Sequence, residues 1–344
     1  MAVDLTVRGG GVFGLAIAWE CARRGASVRL IETRSIGAGA SGGPVGALAP
    51  HVPENWNAKK AFQLDSLLMA DAFWAGVAAA AGLSPGYART GRLQPLADAA
   101  AIGLAEVRGV SAASLWQGRA EWQIVRAQAG WGPTSPTGWW VQDTLSARLQ
   151  PALACAALAA ALRAAGGEIV IGAAADAGRV IWATGVAGLD MLSQSLGVRV
   201  GDGQKGQALA VRFAAPGSPQ IFADGLHLVP HADGTVAIGS TSERMFGAPD
   251  QVDGQLDVLL ARAVAVCPLL AGAPVVARWA GLRPRAASRS PVLGKWPGRH
   301  GHFVANGGFK TGFGMAPKVA QVMADLVLEG RDAIPEGFRV SDCW

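Results

Sequence analysis

The apolar positions change spacing several times along the chain, and the changes predict its elements. Leu5-Thr6-Val7 is strand-like and runs into Gly9-Gly10-Gly11-Val12-Phe13-Gly14. Helical spacing follows from Leu15 to Arg24, Gly25 stops it, and a second strand-like run, Val28 to Ile31, ends on Glu32. Strand, glycine turn, helix and strand in this order are what a dinucleotide-binding βαβ unit requires. Phe62, Leu67, Leu68, Phe73 and Val77 predict one or two helices over 58–81, closed by Gly82 and the Ser84-Pro85-Gly86 turn.

From Tyr87 to about Trp140 the pattern becomes mixed, with short strand-like pieces and tryptophans among glycines and prolines, as in an inserted β-rich lobe. A further helix is predicted over 151–165, with Pro151 in the first turn, Leu158 and Leu162 on one face and Gly166-Gly167 after it. Strands at 168–171 and 179–183 return the chain to the nucleotide lobe. Residues 205–244 alternate again, and Asp233-Gly234 between Leu226–Val229 and Val236–Ile238 signals a hairpin. A last helix is expected from Pro317 to Leu328. The expected division is a discontinuous nucleotide lobe of residues 1–85, 138–204 and 277–344, and a substrate lobe of residues 86–137 and 205–276.

With 344 residues and a hydrophobic fraction of 51%, the chain can fill a sizeable core. Its mean hydropathy of +0.28 comes mainly from alanine and glycine. The longest apolar candidate, around residues 151–162, is too short to cross a bilayer, so no membrane is expected. No basic and apolar leader precedes the first strand, which predicts a cytoplasmic protein. Cys21, Cys155, Cys267 and Cys343 are scattered and form no paired motif, so reduced thiols are expected, with neither disulfide nor metal site. The net charge of +5 is spread over dispersed arginines, so no nucleic acid is expected. Assembly is left open, a homo-oligomer being one option.

Gly9, Gly11 and Gly14 supply a tight turn, room for backbone to approach a pyrophosphate, and close helix-to-strand packing, with the Val12 and Phe13 amides at the positive helix end. Glu32 at the tip of the second strand suits a ribose 2′-hydroxyl and repels a 2′-phosphate, which disfavours NADP although Thr33 and Arg34 follow it. These residues alone do not separate FAD from NAD.

Three further segments carry a resemblance. Val180-Ile181-Trp182-Ala183-Thr184-Gly185 resembles the strand and turn of two-lobed flavoproteins. Gly39-Ala40-Ser41-Gly42-Gly43-Pro44-Val45-Gly46-Ala47-Leu48 resembles the flavin-contacting loop of the D-amino-acid oxidase and glycine oxidase family. Asn306-Gly307-Gly308-Phe309-Lys310-Thr311-Gly312-Phe313-Gly314 resembles that family's loop over the flavin, and Lys205-Gly206-Gln207 and Gly239-Ser240-Thr241-Ser242-Glu243 add to the match.

The resemblance spans essentially the whole chain. It implies an α/β fold with a Rossmann-like FAD lobe and a β-rich substrate lobe. It also implies FAD as cofactor, a small amine or amino acid as substrate, oxygen as electron acceptor, and for a glycine oxidase a role in thiamine biosynthesis. Arg283 matches the arginine that grips the substrate carboxylate. Lys310 stands where relatives tend to carry arginine, and His227 precedes a segment where relatives present a tyrosine. His227 and His51 are carried as candidates, each against the plainer reading of a packed histidine. No cysteine lies near Arg283 or in 288–295, so FAD is expected to be noncovalent. Two rivals remain: the flavin domain of the transfer-RNA wobble-uridine modification enzyme, whose Gly-Ala-Ser-Gly loop is close to residues 39–50, and a flavin-binding protein without turnover.

Overall fold

The computed structural model describes residues 2–343. The first unit is β1 (Leu5–Arg8), α1 (Val12–Arg23) and β2 (Val28–Glu32). The loop that follows carries the two-residue strand β3 (Ala47–Leu48) into α2 (Ala58–Ala81), a single unbroken helix. Asn57 caps α2 by accepting from the Lys60 amide at 3.1 Å, and Gly82 ends it in the left-handed conformation. Then come β4 (Arg92–Pro95), α3 (Ala99–Trp116), β5 (Trp122–Arg126), β6 (Trp139–Asp143), β7 (Ala147–Arg148) and α4 (Pro151–Ala164).

The β-rich insertion expected over 86–137 therefore contains an 18-residue helix. Asp98 caps α3 by accepting from the Ala101 amide at 2.8 Å. Only Ala105, Ala112 and Trp116 of this helix are buried, so its apolar face is narrow and its periodicity faint.

The chain continues with β8 (Glu168–Ile171), β9 (Arg179–Trp182), α5 (Gly185–Leu196), β10 (Gly201–Arg212), β11 (Gln220–Ala223), β12 (Leu226–Pro230) and β13 (Thr235–Gly239). It closes with α6 (Gln255–Val266), β14 (Val275–Ala286), β15 (Val292–Lys295), β16 (His302–Asn306) and α7 (Gly312–Glu329). The hairpin at Asp233-Gly234 forms as the sequence predicts, with Leu228 opposite Ile238. The final helix begins five residues ahead of Pro317, which sits inside it. The missing proline N–H leaves the Phe313 carbonyl without its helical donor.

Two large sheets and the short β3-β7 pair organise these elements. The first has the order β15-β16-β9-β1-β2-β8 and is parallel except for the edge strand β15. Helices α1, α2, α4 and α7 pack together beside it around Leu15, Ile17, Leu67, Trp74, Leu158 and Met323. Helix α2 is long and apolar enough to cross a membrane, which the sequence survey missed. Its Phe62, Leu67, Trp74 and Val77 are instead buried in this core.

The second sheet has the order β14-β10-β13-β12-β11-β4-β6-β5. Strands β6 and β14, whose residues fall mostly in the expected nucleotide lobe, hydrogen-bond in this second sheet. Register puts Trp140 opposite Pro95 and Arg283 opposite Gln204. Neither strand pairing is written in local sequence, because both close over long chain separations.

Candidate functional site

The parallel strands of the first sheet aim their carboxyl ends at one edge, where the chain order reverses across β1 between β2 and β9. Such a switch point is where open α/β sheets bind ligands. Four of the predicted segments meet there in strand order: 307–312 after β16, 183–185 after β9, 9–14 after β1 and 32–34 after β2.

Close approach explains the glycines. A methyl on Gly9 would lie 2.3 Å from the Ala183 carbonyl oxygen, and one on Gly14 would lie 2.0 Å from the Gly9 carbonyl oxygen. Gly9 also has φ +109°, which side chains disfavour. Helix α1 starts at Val12 with no cap from its own N-cap residue, as do α5 after Thr184 and α7 after Thr311. A methyl on Gly312 would lie only 3.6 Å from Val12 Cγ1, so the positive ends of α1 and α7 converge.

Ser41, nearly buried in a one-turn 3-10 helix over Ala40–Gly42, accepts from the Val12 amide at 3.0 Å. Glu32 is pinned by the Gly10 amide at 2.7 Å and the Arg34 amide at 2.9 Å, with the Thr33 hydroxyl at 3.4 Å. Its two oxygens retain lone pairs for hydroxyl donors. Arg34 turns away to the Ala38 carbonyl. The Thr184 hydroxyl is buried at the same edge without a partner among the described residues, and Asn306 ties the Gly185 carbonyl at 2.7 Å. Backbone amides, a half-free carboxylate and glycines that leave the backbone bare fit a dinucleotide such as FAD.

The loop from Gly39 to Leu48 crosses from this edge onto the second sheet. A methyl on Gly46 would lie 1.8 Å from the Leu149 carbonyl oxygen, while Ala47 and Leu48 pair with Arg148 and Ala147. Val45 sits on Gly239, where a methyl would meet its side chain at 2.6 Å, and Gly43 faces the Trp279 ring. His231 Nε2 contacts the Pro44 carbonyl oxygen at 3.0 Å. Phe13 bears on Gly308 and so joins the first helix to the last loop.

Beneath this loop one face of the second sheet is paved by a cross-strand row, Trp279, Ala208, Gly239, His227 and Phe222. Directly paired residues share a face, and so do residues two apart on a strand. Arg283 therefore joins Trp279 and Gly281 on this face, and Gln220 joins Phe222.

Arg283 is 9% exposed, lies across Gly206 and stacks 5.6 Å from the Trp279 ring centroid. Its one hydrogen bond among the described residues goes to the Thr241 carbonyl oxygen at 3.3 Å. No carboxylate among them lies within ion-pair distance. Glu243, the acid that Arg283 senses electrostatically, accepts from Gln207 and faces Lys205 at 3.8 Å. Burial pushes the Arg283 guanidinium down to about 10, which leaves it cationic at neutral pH.

Lys310 reaches 5.8 Å from the Phe309 ring centroid. Its loop is tied to β14 beside Arg283, because the Phe309 amide donates to the Pro284 carbonyl at 3.0 Å. Partial burial and then the Arg283 charge lower the Lys310 ammonium. His227 is half-buried, packs 4.6 Å from the Phe222 ring centroid, and is pushed down to about 3 by burial, Arg92 and Lys310. His51 belongs elsewhere: its ring and amide both engage Gln63 of α2, and burial lowers it too.

Cys21, Cys155 and Cys267 are free and buried, and burial pushes the first two thiols up to about 12. The Cys343 side chain lies outside the described residues. Sequence reasoning missed Gln220, His231, Thr241 and Trp279 as parts of the site. Gly206 and Gly281 were the available signal, since a glycine inside a strand marks close approach by another group.

A Rossmann-like sheet with a dinucleotide edge, joined through the 39–48 loop to a second β-sheet, defines a two-lobed nucleotide-binding protein. The chain belongs to the FAD dependent oxidoreductase family, which matches residues 4–326. It is 28% identical to a glycine oxidase of Geobacillus kaustophilus over 94% of this chain and 92% of that protein. It is 29% identical to a bifunctional protein ThiO/ThiG of Trichormus variabilis, of which it spans about half the length, 53%. Among solved structures, the glycine oxidase of Geobacillus kaustophilus superposes with a TM-score of 0.81 at 23% identity over 96% of both chains. An iminodiacetate oxidase of Chelativorans sp. BNC1 superposes with a TM-score of 0.84 at 20% identity over 96% of this chain and 97% of that one.

Proposed function

We propose that this protein oxidises a small amine bearing a carboxylate, namely glycine, sarcosine or a D-amino acid, to the corresponding imine. FAD is held noncovalently, oxygen accepts the electrons, and the protein works in the cytoplasm. The observation that carries this reading is Arg283: a buried guanidinium with no ion pair among the described residues, set on the sheet face beneath the 39–48 loop. A buried cation without a direct ion pair is costly, and a substrate carboxylate supplies that partner. Two parallel hydrogen bonds from a guanidinium fix a carboxylate in both position and plane.

When bound, FAD supplies the hydride acceptor. The chain's own residues orient and shield. Arg283 holds the carboxylate, with Lys310 adding positive charge beside it. Trp279 and Phe222 wall the recess against water, and Gly206 leaves the room in which the guanidinium lies. The first-turn amides of α7, Gly312 to Gly314, present a positive helix end toward the place where negative charge develops.

The glycine oxidase and ThiO/ThiG relatives favour a supply of imine for thiamine biosynthesis. The discontinuous division into a nucleotide lobe and a substrate lobe, redrawn so that β6 and β14 join the second, is part of the same proposal.

The test is anaerobic mixing of the holoprotein with glycine, sarcosine, proline and D-amino acids while the flavin absorbance is followed. Bleaching by at least one amine in the wild type, lost in Arg283→Ala, is expected. No bleaching by any of them would overturn the reading and favour a flavin-binding protein without turnover.

A further inference from the structure

The substrate face holds a histidine whose protonation is set by a residue nothing else in the site explains. Gln220 is 0% exposed and reaches three groups. Its Nε2 points at two carbonyl oxygens, Ala147 at 3.0 Å and Leu48 at 3.5 Å. A carbonyl only accepts, so the amide nitrogen must occupy that end and Oε1 must face the other way. Oε1 lies 3.1 Å from His227 Nδ1. An amide oxygen there can only accept, so His227 must carry its proton on Nδ1.

Desolvation, Arg92 and Lys310 all oppose a second proton on the half-buried His227 ring. The groups facing it from the neighbouring elements are Arg92 of β4, Phe222 and Gln220 of β11, and Lys310 of the last loop. Arg92 is itself committed to Asp143 at 2.8 Å. The Nε2 edge of His227 has no hydrogen-bond partner among the described residues. A neutral imidazole protonated on Nδ1 offers at Nε2 a lone pair and nothing else.

We propose that His227 Nε2 is the hydrogen-bond acceptor for the substrate's amine N–H, and that Gln220 is the positioning residue that fixes the tautomer and so makes it an acceptor. This deepens the reading above and rests on it. Arg283 and Lys310 recognise the carboxylate end, and His227 recognises the amine end. The cations that favour a carboxylate repel an ammonium, so the amine is best received uncharged by a group that cannot itself become positive. The nitrogen lone pair is then left free while the N–H is held. Gln220 also joins this acceptor to the Leu48 carbonyl, so amine recognition and the 39–48 loop share one hydrogen-bonded anchor.

Two measurements on the holoprotein test this. In protein labelled with 15N-histidine, with the signal assigned through His227→Phe, the His227 ring is expected to show a protonated Nδ1 and a bare Nε2, unchanged between pH 8 and 5. A protonated Nε2, or titration in that range, overturns the proposal. In His227→Phe, which keeps the ring packing on Phe222, the KM for glycine or whichever amine bleaches the wild type is expected to rise about 5- to 10-fold, the loss of one neutral hydrogen bond. Binding of acetate, a carboxylate without an amine, read from the flavin spectrum, is expected to stay unchanged. Equal weakening of acetate and amine, or of neither, overturns the proposal.

Gln220→Met provides a second variant. It is expected to admit the other tautomer and raise the same KM, and a wild-type tautomer in it overturns the role given to Gln220. A wild type that no amine reduces sinks the function itself, whereas reduction with an indifferent His227→Phe sinks only this assignment.

Discussion

Gly206→Ala puts the carboxylate clamp to its hardest test, because it leaves Arg283 in place and removes only the space it lies in. The added methyl would sit 1.5 Å from Arg283 Nη1 and 2.2 Å from Cζ, far inside contact distance. What must give is the far end of a flexible side chain rather than backbone, so the strand survives and the guanidinium swings away. Alanine is if anything favoured over glycine within a strand, by about 0.5–1 kcal/mol. Moving the fork off its axis forfeits at least one of its two charge-assisted hydrogen bonds to a carboxylate, worth about 1.5–3 kcal/mol. At about 1.4 kcal/mol per decade that is a loss of about 10- to 150-fold in kcat/KM. The assay is steady-state oxidation of the best amine, beside FAD content and thermal unfolding of the same preparation. Retained FAD and fold with a KM raised by that factor are expected. Wild-type kinetics in a folded, flavin-loaded Gly206→Ala would refute the placement of the substrate carboxylate at Arg283.

Other outcomes follow from the same geometry. Glu32→Ala removes the acceptor for the Gly10 and Arg34 amides and for a ribose hydroxyl, and FAD affinity measured by reconstitution should fall about 10- to 100-fold for one or two hydrogen bonds to a charged group; unchanged affinity would contradict the assigned edge. Acid precipitation should release all flavin into the supernatant, since Cys21, Cys155 and Cys267 are buried and burial raises their thiols, and a yellow pellet would contradict noncovalent binding. His51, His227 and His231 are all lowered below their usual 6.5, chiefly by burial. Below pH 6.5 the unfolded chain therefore takes up protons that the folded one refuses, and stability is lost as pH falls from there toward the folded values. Each histidine contributes up to about 1.4 kcal/mol per pH unit. Denaturant midpoints should drop between pH 7 and 5, and a flat profile would contradict the burial of all three.

The nucleotide edge was legible in the sequence because its physics is local. Gly9, Gly11 and Gly14 fall within one turn and Glu32 follows at the end of the next strand, although the Ala183 carbonyl for which Gly9 makes room is distant in the chain. The hairpin at Asp233-Gly234 was legible for the same reason. The helix over 99–116 was not, since three buried positions in five turns leave little periodicity to read. Pro317 misled the start of the last helix, whose first turn begins at Gly312 beside Val12 of α1.

The substrate face depended on the tertiary structure. Resemblance brought Arg283, Lys310 and His227 forward, yet only strand pairing between β14, β10, β13 and β12 sets Arg283 and His227 on a common face, and only the bond from the Phe309 amide to the Pro284 carbonyl brings the Lys310 loop beside it. Pairing within the same sheet brings Gln220 against His227, and the 39–48 loop over Gly239. Local sequence was enough to point to a dinucleotide, because the glycine turn, the helix start and Glu32 fall within one βαβ unit. The face that carries Arg283 and His227 was decided by residues far apart in the chain, whose register is set by the hydrogen bonds of a sheet that closes only when the whole domain folds.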